Sequence, residues 1–231
     1  FSGNAWGALA SALHQLDRHE EALAAVERAY AADEPVPAGR LDAIHGFILR
    51  GLRQNDEAIV CFKRAFDAAA DPPPVLAFAY GCSLRDVHRS EEAVAPLELA
   101  ARSGRIGWQA DFNLGGALRN CGRHEEAVVA YRRARLSPSY GGWFAHLREA
   151  EIHIDLGRPA DGLKLLEEAL ASPYGPEALQ SPDLLAALAA ARVRTGSPAE
   201  GLELALRVID GGGTKYDRAY KARVEALLAL D

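Results

Sequence analysis

Several sets of side chains in this 231-residue sequence have the types and spacing to do chemistry. His146, Glu149 and His153 stand at i, i+3 and i+7 in Trp143-Phe-Ala-His-Leu-Arg-Glu-Ala-Glu-Ile-His153, which puts two imidazoles and a carboxylate on one helix face. They occupy positions that are mostly apolar or aromatic elsewhere in the chain. A metal ion or a buried hydrogen-bonded cluster would account for them, but no H-E-x-x-H pattern and no fourth ligand accompanies them. The favoured expectation is a shift in helix phase that exposes all three. Cys61, Cys82 and Cys121 are far apart and form no C-x-x-C, so buried reduced thiols are expected rather than disulfides or a zinc ribbon. Gly211-Gly-Gly213 follows no strand and precedes no Gly-Lys-Ser/Thr, so it is not a phosphate loop. Glu20-Glu21, Asp56-Glu57, Glu91-Glu92, Glu125-Glu126, Asp161 and Glu200 could suggest acid–base work, but each opens a predicted helix, where carboxylates suit the positive end of the dipole. No nucleophile–base pair appears. The sequence predicts no catalytic residue, no metal and no cofactor.

The remaining set is Arg50, Arg85 and Arg119, which fall in register with a repeating unit. Its cleanest copy is Asn113-Leu-Gly-Gly-Ala-Leu-Arg-Asn-Cys-Gly-Arg-His-Glu-Glu-Ala-Val-Val-Ala-Tyr-Arg-Arg-Ala134. One helical face carries Leu114, Gly115 and Leu118, Gly122 breaks the helix, and Ala127, Tyr131 and Ala134 mark a second face. A small residue for the helix–helix contact recurs as Ala10, Gly46, Gly81, Gly115, Ala150 and Ala189, in steps of 36, 35, 34, 35 and 39. Ala22, Ala58, Ala93, Ala127, Gly162 and Gly201 repeat with the same steps, and Ala29, Ala65, Ala100, Ala134 and Ala169 form a third column that ends in Val208. Small side chains at such contacts let paired helices approach to roughly 8 Å.

Composition agrees with an all-helical fold: 49% hydrophobic, 25% charged and 7% aromatic, rich in helix formers. The sequence has no apolar run long enough to span a membrane and no leader-like start, so a cytoplasmic location is expected. A net charge of -6 argues against a general nucleic-acid binder. The chain opens on Phe1, lacks Met and reads as helix almost at once, which suggests a segment of a longer protein. The repeats are predicted at about 3–36, 39–72, 74–105, 108–140, 142–176 and 181–212, with a capping helix or the first helix of a further unit over 214–230. Pro35-Val-Pro37 and Ser137-Pro138 end their units, and Asp71-Pro-Pro-Pro74 is a stiff inter-repeat turn because the repeat phase is kept across it. Pro96 should kink its helix. Tyr216, Tyr220, Val224 and Leu227 or Leu228 share one stripe of the last helix.

This pattern resembles the tetratricopeptide repeat (TPR) over nearly the whole chain. Trp6, Leu9, Ala10, Ala22, Ala29 and Pro35 match it in the first unit, and Leu114, Gly115, Ala127, Tyr131, Ala134 and Pro138 match it in the fourth. The resemblance implies an all-α solenoid, a right-handed superhelix of antiparallel helix pairs whose first helices line a concave groove for a partner peptide or helix. Inward positions then hold Arg50, Arg85 and Arg119 in one column, with His14 at its start, and Phe47, Phe78, Phe112, Asn113, Gln109, Arg40 and Arg148 nearby. Arginines beside aromatics suit an acidic peptide with apolar anchors. The alternative is that the arginines are solvated and the phenylalanines pack within repeats. Gly7 and Ser11 stand where relatives place a carboxylate clamp, and an asparagine ladder is echoed only at Asn113. Two function classes follow: a protein-interaction scaffold that is not an enzyme, with a protein or peptide partner, no nucleic acid, no membrane and the option of self-association through its terminal repeats; or the recognition arm of a larger bacterial glycosyltransferase or sulfotransferase.

Overall fold

Small residues decide where the helices of this chain meet, and the computed structural model places them where the periodicity requires. It describes residues 2–33, 36–137, 140, 142–211 and 217–230. Among these there is no strand. The chain divides into two units, Phe1–Arg123 and His124–Asp231.

The first unit contains α1 (Gly3–Gln15), α2 (His19–Tyr30), α3 (Ala38–Gly51), α4 (Asn55–Asp67), α5 (Pro74–Asp86), α6 (Ser90–Arg102) and α7 (Trp108–Asn120). Helices α1 and α2, α3 and α4, and α5 and α6 form hairpins, and each second helix also packs on the first helix of the next pair. The second unit contains α8 (His124–Leu136), α9 (Phe144–Asp155), α10 (Pro159–Ala171), the short α11 (Gly175–Ala178), α12 (Pro182–Arg194), α13 (Pro198–Asp210) and α14 (Asp217–Leu230). There α9 pairs with α10 and α12 with α13, while α14 packs on both α12 and α13.

All three small-residue columns are buried throughout. At Gly46 and Gly81 the glycine makes room for a large side chain across the hairpin, although Ala150 stands at the same column position with the fully buried Leu166 at the corresponding position of its second helix. A methyl group on Gly46 would lie 2.6 Å from the Phe62 ring, and one on Gly81 would lie 2.6 Å from Leu97. Where the column holds Ala10 or Ala189, the corresponding position of the second helix is the smaller Val26 or Ala205, also fully buried. Burying a Phe or Leu completely is worth roughly 1.5–3 kcal/mol relative to exposure, so the glycine that admits it is favoured despite its entropic cost.

The turns that follow α1, α3, α5, α7, α9 and α12 share one construction. In each, the residue after the helix cap adopts positive φ: Asp17, Arg53, His88, Gly122, Gly157 and Gly196. The N–H of the following residue donates to the carbonyl five positions back (Arg18 to Leu13, Gln54 to Leu49, Arg89 to Leu84, Arg123 to Leu118, Arg158 to His153 and Ser197 to Arg192) at 2.8–3.0 Å. This is the Schellman closure, which satisfies carbonyls the helix end would otherwise leave open. The acidic residues expected at second-helix N-termini lie in the first turns of α2, α4, α6, α8, α10 and α13.

Pro74 takes the first position of α5 after extended Pro73, as the triple proline implied, and α6 runs unbroken through Pro96. Cys61 and Cys82 are buried free thiols, but Cys121 is only half-buried because it sits at the helix cap beside the turn. In α14 the buried stripe is Ala219, Ala222 and Ala226, whereas Tyr220, Val224, Leu227 and Leu228 of the expected stripe are exposed. Pro35, Pro138, Gly212, Gly213 and Tyr216 lie outside the described residues.

Candidate partner-binding surfaces

In the first unit, α1, α3 and α5 with the end of α4 enclose a groove of about 820 Å³. Its α1 wall is Gly7, Ala8, Ser11, Ala12 and Gln15; α3 supplies Gly39, Arg40, Ala43, Ile44 and Phe47; Val75 and Leu76 of α5 and Ala65, Ala68 and Ala69 of the α4 region complete it with Pro37 and Pro73. First-helix positions at the inward offsets therefore face one space, and their small side chains keep it open. Arg40 is the one charged residue in this lining, is exposed, and forms no ion pair among the described residues.

Phe47 serves two roles. It lines the groove and packs edge-on against Phe62 with ring centroids 5.1 Å apart. Phe78 instead joins the apolar cluster of Ala77, Ala100 and Ala110, and Phe112 meets Trp108 edge-on at 5.9 Å. Arg50 and Arg85 are half-buried and do not line the 820 Å³ groove. They flank Cys82: burial pushes that thiol up to about 11, and the two guanidiniums act against the rise. Arg85 also donates through Nη1 to Asn113 Oδ1 and through Nη2 to Asp86 Oδ1 at 3.1 Å. Asn113 Nδ2 in turn donates to the carbonyl of Gln109 at 2.7 Å, while the Gln109 side chain is exposed. Arg119, near the end of α7, is half-buried. The structure thus brings Arg40 and Phe47 together, and separately Arg50, Arg85 and Asn113.

Arg148 belongs to the second unit. It lines a cleft of about 380 Å³ with Trp143, Phe144, Leu147, Glu177, Gln180, Ser181 and Asp183. Its Nη1 donates to Glu151 at 2.9 Å, its Nη2 lies 3.6 Å from Asp183, and Phe144 stacks on Trp143 at 4.3 Å.

The expectation that a phase shift exposes His146, Glu149 and His153 is overturned. Glu149 is 1% exposed, His153 is buried and His146 half-buried. The Glu149 carboxylate accepts from Arg135 Nε at 2.7 Å and Arg132 Nε at 3.2 Å, with His153 Nε2 at 3.9 Å. Two arginines from α8 compensate the buried charge, so α9 keeps its phase and seats a carboxylate where the other units place Leu9, His45, Tyr80, Leu114 and Leu188. Burial lowers the pKa of both His146 and His153. The i, i+3 arginine pair of α8 was the sequence signal for this arrangement. Among the described residues no three His, Cys, Asp or Glu side chains stand close enough to hold a metal ion, and no helix is long and apolar enough to cross a membrane.

A second polar cluster escaped the sequence reading. Asp42, buried on α3, accepts from the Tyr30 hydroxyl at 2.7 Å and pairs with Arg64 at 2.8 Å, while Cys61 Sγ lies 3.6 Å from His45 Nδ1. Burial raises the pKa of the Cys61 thiol, the opposite of what an attacking thiolate needs.

No curated protein sequence matches the chain. Among solved structures, MamA from Desulfovibrio magneticus RS-1 is similar at TM-score 0.64 and 14% identity, covering 78% of this chain and 97% of that one. MamA of AMB-1 gives 0.65 and 22%, with the same coverages. YrrB, described as a TPR protein with an unusual peptide-binding site, gives 0.65 and 21%, covering 71% and 83%. These likenesses show the fold. The tetratricopeptide repeat model matches residues 1–37, 78–141 and 147–216, most of the sequence, in phase with the helix pairs described above. The chain belongs to the tetratricopeptide repeat family.

Proposed function

We propose that this chain is a protein-interaction scaffold whose first helices receive a segment of a partner protein, and that the segment carries an acidic side chain beside bulky apolar ones. The observation that carries this reading is the groove bounded by α1, α3 and α5, with alanine and glycine walls, Phe47 and Ile44 as apolar contacts and Arg40 as its one charge. Small walls leave room for large side chains from outside, and apolar burial supplies most of the binding energy in such a site. Arg40 then selects a carboxylate. Because an exposed ion pair contributes only about 0–1 kcal/mol, the charge governs selectivity and encounter rate more than affinity. Arg50 and Arg85, further along the same helices, extend the preference for acidic partners, and Arg119 belongs to the same column. YrrB's described peptide-binding site supports placing a peptide on this fold.

The test is selection of binders from a random peptide library against the chain, followed by affinity measurement on Phe47→Asp, Arg40→Glu and Arg50/Arg85/Arg119→Ala variants. Enriched peptides should combine Leu, Ile or Phe with Asp or Glu. Phe47→Asp should abolish their binding, and Arg40→Glu should reverse the charge preference. Peptides that bind all three folded variants as tightly as the parent at low salt refute the groove reading.

A further inference from the structure

We propose that His14 and His19 form a two-imidazole binding site for a zinc-like dication at the turn of the first hairpin. Their Nδ1 atoms lie 3.3 Å apart, and their ring planes are tilted by 37° with centroids at 5.1 Å. For metal–nitrogen distances of about 2.0–2.1 Å, that separation subtends roughly 105–110° at the ion, the angle of a tetrahedral site.

Two contacts hold the rings ready. His14 ends α1 and rests against Phe47 of α3, with centroids 6.2 Å apart. His19 opens α2 and fills the space beside Gly51, where a methyl group would come within 2.6 Å of the ring. Asp17 Oδ1 lies 3.8 Å from His19 Nε2, on the side of the ring away from His14. At that distance it makes no hydrogen bond to the ring, but its negative charge favours a dication nearby. Arg18, the nearest cation in sequence, is engaged by both carboxylate oxygens of Glu21 at 2.6 Å.

In the metal-free pair only one Nδ1 carries a proton, which the other accepts. Binding shifts that proton to Nε2 of the same ring, so both imidazoles stay neutral, and replaces the N–H···N bridge with two N–metal bonds. Two protein ligands leave the remaining positions to water or to a partner's side chain, so the site is exchangeable.

Zinc sulfate titrated into the reduced 231-residue chain at neutral pH, followed by calorimetry and by imidazole nitrogen NMR, tests the site. One equivalent should bind, with the Nδ1 resonances of His14 and His19 moving to metal-bound values and the other five histidines unchanged. His14→Gln or His19→Gln should abolish that equivalent, and Asp17→Asn should weaken it only slightly, as an exposed charge does. No saturable binding, a response at Cys121 instead of the two rings, or full binding in either histidine variant overturns the proposal. The spectra of the unsubstituted chain decide the matter even where a variant loses its fold. Failure here leaves the peptide-groove reading untouched, because neither measurement involves a partner.

Discussion

The six Schellman turns supply an internal experiment on backbone strain. Gly122, Gly157 and Gly196 hold the positive-φ position in the later turns, but Asp17, Arg53 and His88 hold it in the first three, at φ of 56°, 62° and 63°. A left-handed conformation costs an L-residue about 1–2 kcal/mol, less for Asp than for Arg or His. Replacement by glycine removes that strain but adds about 0.5–1 kcal/mol of unfolded-chain entropy. Arg53→Gly and His88→Gly should therefore each stabilise by about 0.5–1 kcal/mol, and Asp17→Gly should be nearly neutral. Both arginine and histidine side chains are exposed, so little else changes on their removal. The reverse change is equally defined: no atom lies within 4 Å of a methyl group built on Gly122, so Gly122→Ala carries only the backbone cost. It should destabilise by about 1 kcal/mol. Arg53 and His88 lie in different hairpins, so their double variant should gain about 1–2 kcal/mol by additivity. Urea denaturation followed by circular dichroism measures this, provided the slope is unchanged between variants. An Arg53→Gly variant with a lowered midpoint, together with a neutral Gly122→Ala, would refute the strain argument.

Two further predictions concern buried charge and protonation. Glu149→Ala strands Arg135 beside an apolar core; breaking a buried pair costs about 3–5 kcal/mol, and the lower end is expected because Arg135 keeps Glu168 at 3.7 Å and Arg132 reaches solvent. Thermal melts check it, and a loss below about 0.5 kcal/mol contradicts the network. His14, His45, His146 and His153 all have pKa values lowered from the ordinary 6.5, with burial the leading cause. The unfolded chain then binds more protons than the folded one as pH falls through 6.5, so these histidines make stability decline on acidification below that value and contribute no pH dependence well above it. Urea midpoints at pH 5.5 and 7.5 should show the drop, and equal midpoints after combined His14→Gln, His45→Gln, His146→Gln and His153→Gln would identify its source.

Repeat phase was legible because the columns of small residues are local and repeated: Ala22, Ala58 and Ala93 announce themselves at fixed steps whatever surrounds them. The turn column was not, since Asp, Arg, His and Gly share no chemistry, only a backbone angle. Glu149 was misread because a carboxylate on an apolar stripe is normally a sign of exposure, and its arginines sit on another helix, 14 and 17 positions away. The groove residues divide similarly. Offsets placed Arg40 and Phe47 on the inner face, whereas the diversion of Phe78 into a neighbouring cluster depended on Ala100 and Ala110 of adjoining helices.

By itself, then, the sequence determined the family, the repeat phase and the faces that meet, because helical periodicity converts residue spacing directly into direction. Only the tertiary structure decided which polar side chains find partners, which aromatics are consumed by packing, and that His14 and His19 converge across a turn. Those outcomes depend on distances between atoms of different helices, and no periodicity along one chain encodes them.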